Sequence, residues 1–235
     1  MSCEYFILTK SKDDDVSDNR NNQIINMDKL MFILPSNNLS YYSNHGLFES
    51  SLMEWAKQFC FGNKITLDIG AHSGTYSLCL ANRSQHVYSF EPQRMTYYSL
   101  CGSVALSNLK NVTCLNYGLG SPEQVGEKEL FIVSNDGGGS TLIKSQSNVL
   151  TTETVNIRTL DSLGLKNIGF IKMDVEENEL NVLKGAVETL KNSKYPTILF
   201  ESNDRNEDLF NFIKELSYDI IQVAGCNNMF LATHS

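Results

Sequence analysis

The chain has 235 residues, 41% hydrophobic and 20% charged, a length and balance that suit one α/β domain with a sizeable core. Acidic residues outnumber Lys and Arg by 27 to 19, for a formal net charge of −8. That argues against a long contact with nucleic-acid phosphates, which is built from clustered Lys and Arg, and favours a small or neutral partner.

In chain order, residues 5–8 and 29–34 carry enough apolar side chains for short strands or packing segments. The polar stretch 10–23 between them reads as a loop or arm. The run at 5–8 is too short, and too soon followed by Asp13–Asp15, for a secretory leader. Leu52, Trp55, Ala56 and Phe59 fall at helical spacing and predict an amphipathic helix over 48–61. Residues 1–62 are thus expected to form an arm and covering helix ahead of a main domain at 63–235.

From residue 65 strands and helices alternate. Strands are predicted at 65–69, 87–90, 112–117, 169–173 and 197–200. Helices are predicted at 75–81, after Pro92, through Leu180, Leu183, Val187 and Leu190 as one face, and at 206–216. Repeated strand–helix–strand units predict a parallel sheet. The last strands, 218–223 and 229–232, joined by the turn at 225–228, predict an antiparallel edge hairpin. An insert at 121–158 is expected to hold strands at 128–133 and 154–158 around a loop at 136–140. No apolar run approaches the ~20 residues of a bilayer-spanning helix. The six cysteines show no CxxC or Cys/His ligand spacing, so reduced thiols and a cytoplasmic setting are expected.

The sharpest motif is LDIGAHSGTY at 67–76. Its glycines stand at the carboxyl end of the first strand and lead into a helix, where a ligand can approach backbone N–H groups. Glu91 ends the second strand, where doubly wound folds place a carboxylate that accepts ribose hydroxyls. Each feature also has a plain structural reading, a tight turn for the glycines and an exposed strand-end carboxylate for Glu91. A dinucleotide pyrophosphate requires glycine where His72 stands, and the third glycine position is Thr75, which disfavours NAD and FAD. S-adenosylmethionine has no phosphate and takes acidic groups near its amino group and ribose, which Asp68 and Glu91 suit.

At these residues the chain resembles the FkbM family of S-adenosylmethionine-dependent methyltransferases, over about residues 46–233. The resemblance is carried by LDIGAHSGTYSL (67–78), SFEP (89–92), LNYGLGS (115–121), GGGST (137–141), IRTLDSL (157–163) and FIKMDVEENELNVLKGA (170–186). It implies a Rossmann-like class I methyltransferase fold, with a mostly parallel seven-stranded sheet and an antiparallel C-terminal edge hairpin. S-adenosylmethionine would be the cofactor and S-adenosylhomocysteine the product. Asp68, Gly70 and Ala71, with His72, Gly74, Thr75 and Tyr76, would line the methionine part. Glu91, beside Pro92, would hold the ribose; Asn116 and Gly118 would edge the adenine; Ser140 would reach the carboxylate end. Asp174 and Glu176 match the family's acidic pair after the fourth strand, with Asp174 also in the cofactor set. Family members of known activity methylate hydroxyls, commonly of sugars or small natural products, so a small-molecule or glycan acceptor is implied.

Methyl transfer to a hydroxyl needs a general base beside the acceptor. Asp174 is the first candidate, with Glu176 as orienter or alternative base; Asp174 reads equally well as a helix N-cap. Glu201, Asn203 and Asp204 follow the fifth strand, and Glu201 is read either as an acceptor-binding residue or as one half of a salt bridge. His72 is read either as a base or, in preference, as a turn histidine bonded to backbone. The adjacent Asp-Asp pair of metal-dependent relatives is absent after the fifth strand, so no metal ligand is assigned. Glu177 stands where the family usually has glycine; in a helix's first turn it would complement the dipole while reshaping the acceptor pocket. A catalytically silent cofactor-binding module and a nicotinamide oxidoreductase are the competing readings.

Overall fold

The computed structural model describes residues 4–11, 29–143, 149–203 and 206–234. Most of the polar stretch 10–23, and Asp204, lie outside them. In chain order the elements are β1 (Tyr5–Ser11), β2 (Lys29–Pro35), α1 (Leu39–His45), α2 (Ser50–Ala56), β3 (Ile65–Ile69), α3 (Thr75–Leu80), β4 (His86–Phe90), α4 (Arg94–Leu106) and β5 (Val112–Leu115). There follow β6 (Gly118–Leu119), β7 (Gly126–Ile132), β8 (Thr151–Arg158), β9 (Ile168–Met173), α5 (Glu179–Lys184), α6 (Val187–Asn192), β10 (Thr197–Glu201), α7 (Glu207–Glu215), β11 (Tyr218–Gln222) and β12 (Met229–His234).

Seven strands form the main sheet in the order β11-β12-β10-β9-β3-β4-β5. β3 pairs in parallel with both β4 and β9, whereas β12 runs antiparallel to both β10 and β11. The edge hairpin expected from the turn at 225–228 is therefore present. Because β3 has β4 on one side and β9 on the other, the strand order reverses there. The crevice above such a reversal, at the carboxyl ends of the strands, is where open α/β sheets bind ligands.

Alternation along β9 explains why both faces of the sheet are covered. Phe170 packs toward Leu78, Leu80 and Met53, while Ile171 packs toward Leu183, Leu190 and Ile213. Strands buried on both faces carry long apolar runs rather than a polar face. On the first of these faces the β1–β2 hairpin completes the core with Phe32 and Leu34. It docks on α4 through side chains, with Met31 N–H and Ile33 N–H donating to Ser107 Oγ and Ser103 Oγ at 2.8 Å each.

The strand expected at 112–117 ends at Leu115, and the short β6 that follows pairs with β8 outside the main sheet. Three other predicted elements differ by more than a residue or two at their ends. The helix expected at 48–61 is α2 followed by a 3-10 turn, Lys57–Phe59, and α1 precedes it. β8 starts three residues early, at Thr151; in its first half no side chain is buried, so no apolar signal marks it. The single helix through Leu180 and Leu190 is two, α5 and α6, broken at Gly185. There the chain runs against Gly120, and a Cβ on Gly185 would lie 2.0 Å from the Gly120 carbonyl oxygen. The carboxylate of Asp161 then starts α6 anew, accepting from Glu188 N–H and Thr189 N–H.

Gly185→Ala should therefore destabilise the fold by about 1–3 kcal/mol, as overpacking does. Urea unfolding of the two proteins measures it, and equal midpoints would place the break elsewhere.

Candidate functional site

A cavity of about 300 Å³ opens at the carboxyl ends of β3, β4 and β9. Its floor is a close approach of two backbones. Gly70 has φ 77, and a Cβ there would lie 1.7 Å from the Asp174 carbonyl oxygen, so only glycine fits. Gly70 N–H and Ala71 N–H both donate to Phe90 O, which fixes the turn.

Of the sequence-predicted residues, Gly70, His72, Thr75, Glu91, Pro92, Gly118, Ser140, Asp174 and Glu176 line the cavity. Glu91 is buried, with one carboxylate oxygen accepting from His72 N–H at 2.8 Å and the other from Gln93 N–H at 2.9 Å. Each oxygen keeps a lone pair for a ligand hydroxyl. Burial pushes this carboxyl up, against the pull of His72 and the two amides. His72 Nε2 donates to Asp136 O at 2.7 Å, and Nδ1 accepts from Ser73 at 3.0 Å, so both ring nitrogens are engaged as expected of a turn histidine.

Five of the predicted cofactor residues serve from outside the cavity lining, as does Glu201. Asn116 Nδ2 donates to Glu91 O and Pro92 O, bracing the end of β4. Asp68 is fully buried below the turn and accepts from Ser77 Oγ. Tyr76 donates to Glu49 Oε2 at 2.8 Å. Ala71 and Gly74 shape the turn, with Gly74 N–H donating to Ala71 O. The remaining walls were not anticipated: Asn38, Tyr42 and Phe48 from the N-terminal cover, and Leu130, Leu142 and Ile157 from the insert.

The loop at 136–140 crosses the cavity and is held from several elements. Gly139 N–H donates to Glu176 Oε1 at 3.0 Å and Thr141 Oγ1 to Glu176 O at 2.9 Å. Ser140 Oγ donates toward Gln93 Oε1 and Gly137 O, and Asn38 Nδ2 toward Asp136 Oδ2. Glu176 is thus an orienting residue of the loop.

Asp174, Glu176 and Glu201 bring carboxylate oxygens within 4.8 Å of one another. The N-cap reading of Asp174 does not hold: α5 starts only at Glu179, preceded by Asn178. Nor does the salt-bridge reading of Glu201, whose described partners are Asn228 Nδ2 and Asp174. Burial, and after it the charge of Asp174, push Glu201 up to about 8, so at neutral pH the pair keeps a proton. Beside it lies Lys172, whose Nζ is 3.1 Å from Gly70 O and 3.4 Å from Asp174 Oδ2. Lys172 had a sequence signal, a charge inside the apolar strand FIKM, that carried no assigned role. Its ammonium and the retained proton offset the three carboxylates. Glu177 stands outside α5, not in its first turn, and has φ 74; Glu176 has φ 53.

The family model described as Methyltransferase FkbM domain matches residues 68–222. Methyltransferase sdnD of Sordaria araneosa is 31% identical over 122 residues, 51% of this chain and 46% of that protein. The chain therefore spans about half the length of that relative. An FkbM methyltransferase structure from Methylobacillus flagellatus KT shares the fold at 18% identity, over 73% of this chain and 44% of that one, with a TM-score of 0.50. So does an S-adenosylmethionine-dependent O-methyltransferase from Thermotoga maritima, at 14% identity over 88% and 74%, with a TM-score of 0.50.

Two outcomes are expected. A left-handed backbone costs a non-glycine residue about 1 kcal/mol, so Glu177→Gly should raise stability by about that amount in thermal melts; a lower melting temperature would contradict it. Glu201, and Glu179 raised by burial to about 7, both titrate above their ordinary 4.5. The folded state then binds more protons than the unfolded one, so their stabilisation is complete below pH about 4.5 and is lost as pH rises through about 7 and 8. Urea midpoints between pH 5 and 9 should fall less steeply for Glu201→Gln than for the parent; parallel curves would contradict it.

Proposed function

The chain belongs to the FkbM methyltransferase family, and from that premise we propose that it is an enzyme that methylates a hydroxyl of a sugar, glycan or similar polyhydroxylated small molecule from S-adenosylmethionine. The observation that carries the reading is the shared cavity. Asp174, with Glu201 behind it, lines the same 300 Å³ space as the Gly70 turn and Glu91.

The residues fit the cofactor. Gly70 lets the ends of β3 and β9 share one floor, and Glu91 lines the cavity with a buried carboxylate that accepts only one backbone N–H at each oxygen in the hydrogen bonds described. Glu91 would hold the ribose hydroxyls, and Gly118, Leu119, Leu130 and Ile157 would give the base an apolar slot. When bound, S-adenosylmethionine supplies an electrophilic sulfonium methyl. Asp174 accepts the proton of the attacking hydroxyl, and Glu201, sharing its proton with Asp174, spreads the charge. Glu176 keeps the loop at 136–140 across the site and limits water. Holding both reactants in one cavity would supply up to about 7–11 kcal/mol of the barrier.

The described residues ahead of β3 act as the cover of the acceptor side, where Tyr42 and Phe48 offer an aromatic wall for a ring face. Free cysteines support a reducing, cytoplasmic setting. Among the described residues no helix is long and apolar enough to cross a membrane. His72, where a pyrophosphate would require glycine, speaks against a nicotinamide reaction.

Glu91→Ala should weaken S-adenosylhomocysteine about 10- to 100-fold by calorimetry, the worth of one charge-assisted bond; unchanged affinity would remove the ribose contact. Asp174→Asn should abolish turnover on a panel of glycans and polyols with methyl-labelled cofactor while keeping S-adenosylhomocysteine affinity. Label appearing only in protein or RNA would sink the hydroxyl reading, and turnover retained in Asp174→Asn would sink the base.

A further inference from the structure

The chemistry above leaves one buried charge unexplained. Lys172 is only 4% exposed, and its strand neighbours Phe170, Ile171 and Met173 are buried. Withdrawing an ammonium from water costs several kcal/mol, so it persists only where partners compensate. Its nearest partners are not those of a closed ion pair. Asp68 Oδ1 is 3.9 Å away and, although buried, has no hydrogen-bond partner. The ammonium lies closer to Gly70 O at 3.1 Å and Asp174 Oδ2 at 3.4 Å, both from residues that line the cavity. The Tyr76 ring underlies it, 5.1 Å from Nζ to the centroid.

We propose that Lys172 is a positioning residue for the transfer reaction: its ammonium locks the Gly70 carbonyl of the cofactor turn and the Asp174 carboxylate into one register. The proposal rests on the methyl-transfer reading. Lys172 faces Asp68 from β3, Tyr76 from α3, Glu49 from the turn before α2, Asp174 after β9 and Glu201 at the end of β10, with Glu176 beyond Asp174. Burial alone would favour the neutral amine, but the carboxylates of Asp174, Asp68 and Glu49 outweigh it and hold the lysine above its ordinary value. A lysine so held is not itself a base at neutral pH. It acts through the two groups it grips.

The test uses Lys172→Met, Lys172→Arg and the double variant Asp68→Asn/Lys172→Met, which removes the buried pair together should the stranded Asp68 charge prevent folding. Two probes avoid the need for an acceptor: S-adenosylhomocysteine affinity by calorimetry, and the Glu201 titration followed by carboxyl-carbon NMR. Loss of the ammonium, as Met or in the double variant, should weaken S-adenosylhomocysteine several-fold. It should also shift the Glu201 proton affinity upward by about tenfold, since the nearest cation has gone. Lys172→Arg should return the titration close to that of the parent. A folded Met or double variant with both readouts unchanged overturns the proposal. So does an Arg variant that titrates like Met. If the parent binds no S-adenosylhomocysteine, the cofactor reading falls instead, and the titration alone decides the role of Lys172.

Discussion

The site depends on one contact, the backbone of Gly70 lying directly against the carbonyl of Asp174. That approach joins β3 to β9 beyond the end of their ladder, where Asp174 N–H still donates to Ile69 O at 3.0 Å. With no side chain between them, the turn after β3 and the acidic segment after β9 share one floor. Lys172 can then touch both at once, and Glu91, one strand over, faces the same space. A side chain at residue 70 would force the two strand ends apart and divide the cavity.

Around that floor the walls come from segments remote in sequence. The N-terminal cover supplies aromatic rings, the insert supplies aliphatic side chains, and the loop at 136–140 spans between. Glu176 serves two structures at once, because its side chain holds Gly139 while its own carbonyl holds Thr141. Its left-handed backbone follows from that double engagement: both the carboxylate and the carbonyl must face the loop. Glu177 continues the same twist without a comparable described contact, and nothing in the structure explains a glutamate there.

The repeating strand and helix pattern was legible because it is written in burial. Runs such as ILF at 198–200 and FIKM at 170–173 mark strands covered on both faces, and the turn at 225–228 marks the edge hairpin. What escaped is what burial does not encode. The break at Gly185 depends on Gly120, 65 positions earlier, and no local signal carries it. The first half of β8 pairs with β7 while burying no side chain of its own. In the site, type and place were legible for Gly70, Glu91 and Asp174, since strand ends converge by topology. The inward or outward direction of a side chain was not: Asp68 and Asn116 sit at the right strand ends yet brace the frame from beneath. Lys172 stands as a charge inside an apolar strand, and its role depends on partners that the sequence does not name.

The docking of β2 on α4 has a consequence for behaviour in concentrated solution. A hairpin laid on a surface normally leaves one row of amides open, a template on which another chain can add a strand. Here Met31 and Ile33 give their hydrogens to serine hydroxyls of a helix, which offers no continuing row of carbonyls. The N-terminal ribbon is thereby protected against self-association at that edge, by two small side chains that belong to a different layer of the molecule.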